Sequence, residues 1–190
     1  MRPEILYHAS PTTGLRELQP SVTRYFGKPE QVCLTSCLPM ALMYGVKHFE
    51  YPYGYTREGR ICYEEYFPGA LREVYGGKSA SLYRCLWRED METTAIPNEY
   101  VTPSPVPVLE ELSIPDVYAA LLEQERLGAL KIVRYQDMTE KRLAWVREAE
   151  AQTILEKDLL NVRQDDPFAR YLREHYPDSW ALAQAREKER

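Results

Sequence analysis

The apolar positions of this chain fall into two regimes. Up to about residue 135 they form short runs broken by proline and glycine; beyond it both breakers are scarce and apolar residues recur at helical spacing. This contrast predicts a strand-rich body followed by helices. Ile5-Leu6-Tyr7 reads as a first strand, closed by His8-Ala9-Ser10 and the turn residues Pro11-Thr12-Thr13-Gly14. A turn of helix is expected over Leu15 to Leu18. Gln31 to Ser36 reads as a second strand, and Pro39 then suits the first turn of a helix ending at Tyr44. Leu38, Leu42 and Val46 align on one side of that segment, so it can pack on a sheet.

From Tyr51 to Tyr66 tyrosine, glycine and charge alternate without a clear period, and one strand is expected, around Arg60 to Tyr63. Ala70 to Tyr75 reads as a helical turn stopped by Gly76-Gly77, and Ser81 to Trp87 as an alternating strand. Glu99-Tyr100-Val101 starts a strand running toward Val106-Pro107-Val108, with prolines suited to a sheet edge. Ser113-Ile114-Pro115-Asp116 opens a helix through Arg126, Leu130 to Tyr135 is the last strand, and Met138 onward is helical. The implied organisation is α+β, a body over 1–135 and a helical extension over 136–190. In the extension, charges of both signs interleave with Leu143, Val146, Ile154, Leu155, Leu159 and Val162, as on a solvated helix surface; self-association or docking through these helices is the alternative.

Composition narrows the class. With 44% hydrophobic and 28% charged residues over 190 positions the chain can bury a sizeable core, which argues against chain-wide disorder. No apolar run approaches the ~18 to 20 residues of a membrane span, and the N-terminal apolar stretch is too short for a secretory signal. A cytoplasmic protein with no membrane partner is expected. A formal charge of −5 gives no net attraction to extended nucleic acid. Cys33, Cys37, Cys62 and Cys85 lack CxxC spacing, so free thiols and no metal are expected. Tyrosine is the outlier, fifteen against four phenylalanines; its flat face and polar tip suit a wet cleft for a planar ligand, or the periphery of a core.

Of three histidines, His8 stands at a strand end before a turn, while His48 and His175 lie among charged neighbours. The chain has no HxxxH, GxSxG, GxxxxGK[ST] or post-strand GxGxxG, so the hydrolase, P-loop and dinucleotide-fold readings lack their signatures. What remains is an ordered set: a strand ending in His8, a strand ending in Ser36 that enters a helix bearing Tyr44, and a late strand opening on Glu99. Taken singly, each has a plain structural use: a satisfied strand-end histidine, a core tyrosine, a surface glutamate.

In that order these blocks resemble the ADP-ribosyltransferase superfamily, in its branch with a His-Tyr-Glu type triad, over Ile5 to about Leu112. Leu6-Tyr7-His8-Ala9-Ser10 resembles the first-strand motif, Val32-Cys33-Leu34-Thr35-Ser36 with Ala41 and Tyr44 the second block, and Glu99-Tyr100-Val101 the third. The resemblance implies a split β-sheet core that binds NAD as substrate and passes ADP-ribose to an acceptor, whether protein, nucleic acid or small molecule. It implies Glu99 and His8 as catalytic residues, with His8, Ala9, Ser10, Thr35, Ser36 and Tyr44 lining the NAD site and no metal. Breaking the nicotinamide–ribose bond passes through an oxocarbenium-like state, which a carboxylate beside the ribose stabilises. In this scheme His8 holds a hydroxyl of the adenosine-side ribose, the Ala9 backbone pairs with the nicotinamide amide, and Tyr44 stacks on its ring.

The chain departs from the pattern at three places. Ala9 replaces the usual glycine, Cys33 stands where the triad tyrosine would be, and Pro97, two residues before Glu99, replaces the Glu or Gln of arginine-modifying members. These departures leave two further readings: a degenerate, non-catalytic nucleotide-binding or protein-interaction module, and an enzyme similar to the superfamily's RNA 2′-phosphotransferases. The second needs phosphate-gripping arginines, and Arg2, Arg16 and Arg24 lie near the motifs without matching them.

Overall fold

The computed structural model describes residues 3–21, 30–162 and 165–189. In chain order it runs β1 (Ile5–Ser10), β2 (Glu17–Leu18), β3 (Val32–Thr35), α1 (Leu38–Tyr44), β4 (Tyr53–Tyr55), β5 (Ile61–Glu64) and α2 (Ala70–Tyr75). Then follow β6 (Ala80–Leu86), β7 (Glu92–Thr93), β8 (Glu99–Thr102), β9 (Val106–Pro107), β10 (Glu110–Ile114), α3 (Val117–Arg126) and β11 (Leu130–Val133). A 3-10 turn at Tyr135–Asp137 leads into α4 (Glu140–Glu156), α5 (Pro167–His175) and α6 (Pro177–Lys188). The chain is α+β.

Six strands form one sheet in the order β10-β6-β1-β3-β8-β7; β11-β5-β4 form a second and β2-β9 a short ribbon. The large sheet is not uniform. β1 pairs with β6 along its whole length, Ile5 with Leu86 through Ser10 with Ser81, and β3 pairs with β8 from Val32–Thr102 to Thr35–Glu99. Between β1 and β3 the ladder holds one pair, Tyr7 with Thr35. Side chains alternate across a strand, which gives the sheet two packed faces. Leu6, Val32, Leu34, Tyr83 and Cys85 pack with Leu18 and Val106 of the ribbon on one, and Ala9 and Leu82 pack with Ala41 of α1 on the other.

α1 starts with Pro39 in its first turn and approaches the sheet closely at its end, because Gly45 carries no side chain. A Cβ built at Gly45 would lie 2.9 Å from the Ala80 Cβ and 3.3 Å from the Ala9 Cβ. At α3, Asp116 caps the helix by accepting from the Ala119 N–H at 3.1 Å.

Two compact units are present, 1–63 with 71–131 and 64–70 with 132–190. In the second, Met138, Val146 and Ile154 on α4 and its flanks pack with Leu172, Trp180 and Ala183, around Phe67. Arg142 donates to Glu64 at 2.8 Å and lies 3.9 Å above the ring of Trp145. Among the described residues no helix is long and apolar enough to cross a membrane.

Several elements differ from the reading of the sequence. Leu15 to Leu18 is not a helical turn: Glu17 pairs with Pro107 and Leu18 with Val106, and the Leu18 side chain is buried below the ribbon. The strand from Glu99 stops at Thr102, whose Oγ1 accepts from the Ser104 N–H at 3.1 Å and turns the chain through Pro103 and Pro105. The strands β4, β7 and β10 have no counterpart in the sequence reading, and Ser113 and Ile114, expected to open a helix, end β10 instead. β10 is an edge strand with both faces largely exposed, so it lacks the apolar alternation that marks a strand.

Candidate active site

His8, Ala9, Ser10, Thr35, Ser36, Tyr44 and Glu99 all fall in the first unit, and three central strands carry most of them. His8, Ala9 and Ser10 lie on β1, Thr35 at the end of β3 with Ser36 just beyond, and Glu99 at the start of β8, on neighbouring strands. Far-apart segments converge because Tyr7 pairs with Thr35 and Thr35 with Glu99.

The ladder's hydrogen-bond parity fixes what faces what. Trp87 N–H donates to the Glu4 carbonyl, so the even residues of β1 address β6 and its odd residues address β3. Ser36 N–H donates to the Asn98 carbonyl at 3.0 Å, so Thr35 and Cys33 address β1. A continued ladder would therefore join Ala9 to Cys33, but pairing ends at Tyr7–Thr35. His8 Nδ1 takes up the Cys33 carbonyl instead, at 2.9 Å. The peptide edge of Ala9 faces the gap between the parting strands.

A carbonyl can only accept, so His8 Nδ1 carries the proton and the neutral ring offers Nε2 as an acceptor. Burial holds the imidazole below its ordinary pKa, against a smaller opposing effect of the Cys33 carbonyl. Across the ladder His8 shares the face of Leu6 and Tyr83, with ring centroids 6.4 Å apart from Tyr83, whereas Glu99 shares the face of Tyr7 and Thr35. The register thus sets the His8 and Glu99 side chains on opposite faces of the sheet, on β1 and β8, with β3 between them.

Around Glu99 the surroundings are phenolic. Thr94 Oγ1 donates to Glu99 Oε2 at 2.6 Å. Tyr44, at the last position of α1, is 37% exposed; its hydroxyl is 2.9 Å from that of Tyr53, and its ring centroid is 4.6 Å from Tyr51. Tyr55 donates to the Pro97 carbonyl at 2.7 Å. The Glu99 charge acts on both Tyr44 and Tyr55. Burial first, then the Tyr53 hydroxyl and the nearby charges, push the Tyr44 phenol far above its ordinary range; burial likewise raises Tyr55. Both phenols therefore remain protonated donors at neutral pH.

Two hydroxyls serve the backbone. Ser10 Oγ accepts from the Thr12 N–H at 3.1 Å, and the buried Thr35 Oγ1 accepts from the Cys37 N–H at 3.0 Å. Ser36 Oγ donates to Asn98 Oδ1 at 3.4 Å. Cys33 is in no disulfide and lies on the Glu99 face of β3, and Arg2 and Arg24 lie outside the described residues. Among the described residues no three His, Cys, Asp or Glu side chains converge to hold a metal ion.

Tyr53, Tyr55, Thr94 and Asn98 belong to this neighbourhood and escaped the sequence reading. Tyr51, Tyr53 and Tyr55 recur at period two, a strand signal that Pro52 and Gly54 disguise. Asn98 has φ +66°, and an asparagine before a strand is a recognised turn signal. No protein-family model, curated protein or solved structure matches the chain.

Proposed function

We propose that the first unit is an NAD-cleaving mono-ADP-ribosyltransferase-like domain, with its site at the opening between β1 and β3. The observation that carries this reading is the parting of the central ladder after Tyr7–Thr35, with the His8 imidazole bonded into the gap and Glu99 one strand away. The Ala9 peptide edge, which lies beyond the last β1–β3 pair, suits a carboxamide, which needs one donor and one acceptor side by side. Tyr44 supplies an aromatic face beside Glu99 for a nicotinamide ring, and the phenol-rich surroundings supply the planar surfaces missing at Cys33.

In this reading Glu99 is the one residue whose charge the chemistry uses. Its carboxylate would accept a ribose hydroxyl and stabilise the positive charge that develops at the anomeric carbon as the C–N bond to nicotinamide breaks. The bonding electrons leave with nicotinamide, a neutral leaving group, so no general acid is needed. His8 Nε2, as an acceptor, suits a ribose hydroxyl at the adenosine end. The attacking acceptor would approach the opposite side of the ribose from nicotinamide.

The test is nicotinamide release from NAD by the purified chain, with NAD binding measured by calorimetry. Turnover that is abolished in Glu99→Ala, with binding weakened in Tyr44→Ala, is the expected result; neither binding nor release by the wild type overturns the reading. A second reading, a nucleotide-binding module without turnover, is favoured by the register that sets His8 and Glu99 on opposite ladder faces. NAD binding with no nicotinamide release under any acceptor condition would select it.

A further inference from the structure

We infer that Thr94 is a positioning residue for Glu99, holding one carboxylate oxygen so that the other is presented to a ligand hydroxyl; this rests on the transferase reading above. The hydroxyl of Thr94 has a single course for its proton. Ile96 N–H donates to Thr94 Oγ1 at 3.0 Å, occupying a lone pair, while the hydroxyl donates to Glu99 Oε2 at 2.6 Å. That separation is in the range expected when a hydroxyl meets a carboxylate charge.

The segment that carries Thr94 is itself fixed. Thr94 N–H donates to the Glu99 carbonyl at 3.3 Å and Glu99 N–H to the Ile96 carbonyl at 3.2 Å, closing 94–99 on itself. Outside contacts hold it in two further places: the Tyr55 hydroxyl donates to the Pro97 carbonyl at 2.7 Å, and Ser36 N–H donates to the Asn98 carbonyl at 3.0 Å. Asn98, at φ +66°, makes the reversal that returns the chain to β8. A hydroxyl on so constrained a loop sets the rotation of the glutamate side chain.

The consequence is geometric. With Oε2 held by Thr94, Oε1 is the oxygen left to accept from a ribose hydroxyl. Without that bond the carboxylate still carries its charge and can still meet NAD, but it samples rotamers in which the charge is misaimed. Misplacement on the scale of 1 Å can cost about 100-fold in rate. A loss confined to turnover is therefore the signature of positioning.

The experiment compares wild type, Thr94→Val and Thr94→Ser in NAD binding and nicotinamide release. Valine keeps the shape of threonine and removes the hydroxyl. Thr94→Val is expected to lower kcat by about 10- to 100-fold with KM for NAD and the calorimetric Kd nearly unchanged, and Thr94→Ser to restore most of the wild-type rate. Equal kcat in wild type and Thr94→Val overturns the inference while leaving the transferase reading intact, as does a variant whose KM rises at constant kcat. A wild type that releases no nicotinamide removes the transferase reading and this inference with it. Should Thr94→Val lose the fold, as read by circular dichroism, Thr94→Ala takes its place against Thr94→Ser.

Discussion

Gly45→Ala is the perturbation whose cost follows most directly from the packing of α1 on the sheet. Gly45 has φ −64°, so alanine meets no backbone strain there, and replacing glycine should by itself stabilise by about 0.4–1 kcal/mol through the unfolded chain. Against this stands a steric term. The added methyl would lie 2.9 Å from Ala80 Cβ and 3.3 Å from Ala9 Cβ, and neither contact is the far end of a flexible side chain. Carbon atoms rest at about 3.5–4.0 Å, so the end of α1 must lift from β1 and β6 by roughly half an ångström or more. Overpacking of this kind costs about 1–3 kcal/mol, which outweighs the entropic gain and leaves a net loss of about 1–2 kcal/mol. For a chain of this size that corresponds to a fall in Tm of roughly 2–8 °C.

Thermal denaturation followed by circular dichroism measures the loss, and Ala80→Gly in the same background should recover most of it by removing the closest carbon. Because Tyr44 precedes Gly45, a lifted helix end also moves the Tyr44 ring, so under the transferase proposal NAD binding should weaken more than stability alone accounts for. A Gly45→Ala chain as stable as wild type, or one that Ala80→Gly does not rescue, would refute the close approach.

His8 is held below its ordinary pKa by burial, so its protonation favours the unfolded chain: its stabilising contribution is complete above the unfolded value near 6.5 and declines as pH falls from there toward the folded pKa. The Tm difference between wild type and His8→Gln should shift across that window, and a pH-independent difference speaks against the buried neutral imidazole. Glu111 accepts from Ser81 Oγ at 2.6 Å and from Gly14 N–H at 3.0 Å, and these bonds hold its carboxyl below the usual range; in Glu111→Ala the Gly14 amide should exchange faster with solvent, and unchanged exchange would contradict the tie. Removing the Asp116 cap with Asp116→Ala should cost about 1 kcal/mol in urea denaturation, with Asp116→Asn nearly neutral. Tyr75 is fully buried and its hydroxyl has no hydrogen-bond partner among the described residues, so Tyr75→Phe should stabilise the chain by up to about 1 kcal/mol, and a clear loss would reveal a bond to that oxygen.

Where local pattern and tertiary packing agree, the elements could be read directly. The Pro39 start of α1, the Gly76-Gly77 stop of α2 and the Asp116 cap of α3 are signals written within a few residues, and the helices stand there. β2 failed for the opposite reason: two residues become a strand when Val106 and Pro107, distant in sequence, arrive to pair with them. β10 failed because an exposed edge strand has no buried face to impose an apolar period. The segment 64–70 groups with 132–190 rather than with its chain neighbours, a matter of which core receives Phe67 and Ala70.

The site divides along the same line. The order of His8, Thr35-Ser36, Tyr44 and Glu99 is visible in the chain because each sits at a strand end or helix end that local chemistry marks. Their adjacency is not, since it depends on Thr35 pairing with Tyr7 on one side and Glu99 on the other, across separations that only the sheet closes. The parting of β1 from β3, the His8 bond to Cys33, and the gathering of Tyr53, Tyr55 and Thr94 around Glu99 depend on register and packing, which act through space. The sequence alone determined an α+β chain and the types of side chain available for chemistry; the tertiary structure decided which of them meet, because hydrogen-bond ladders and close-packed contacts join residues by distance in space and not by distance along the chain.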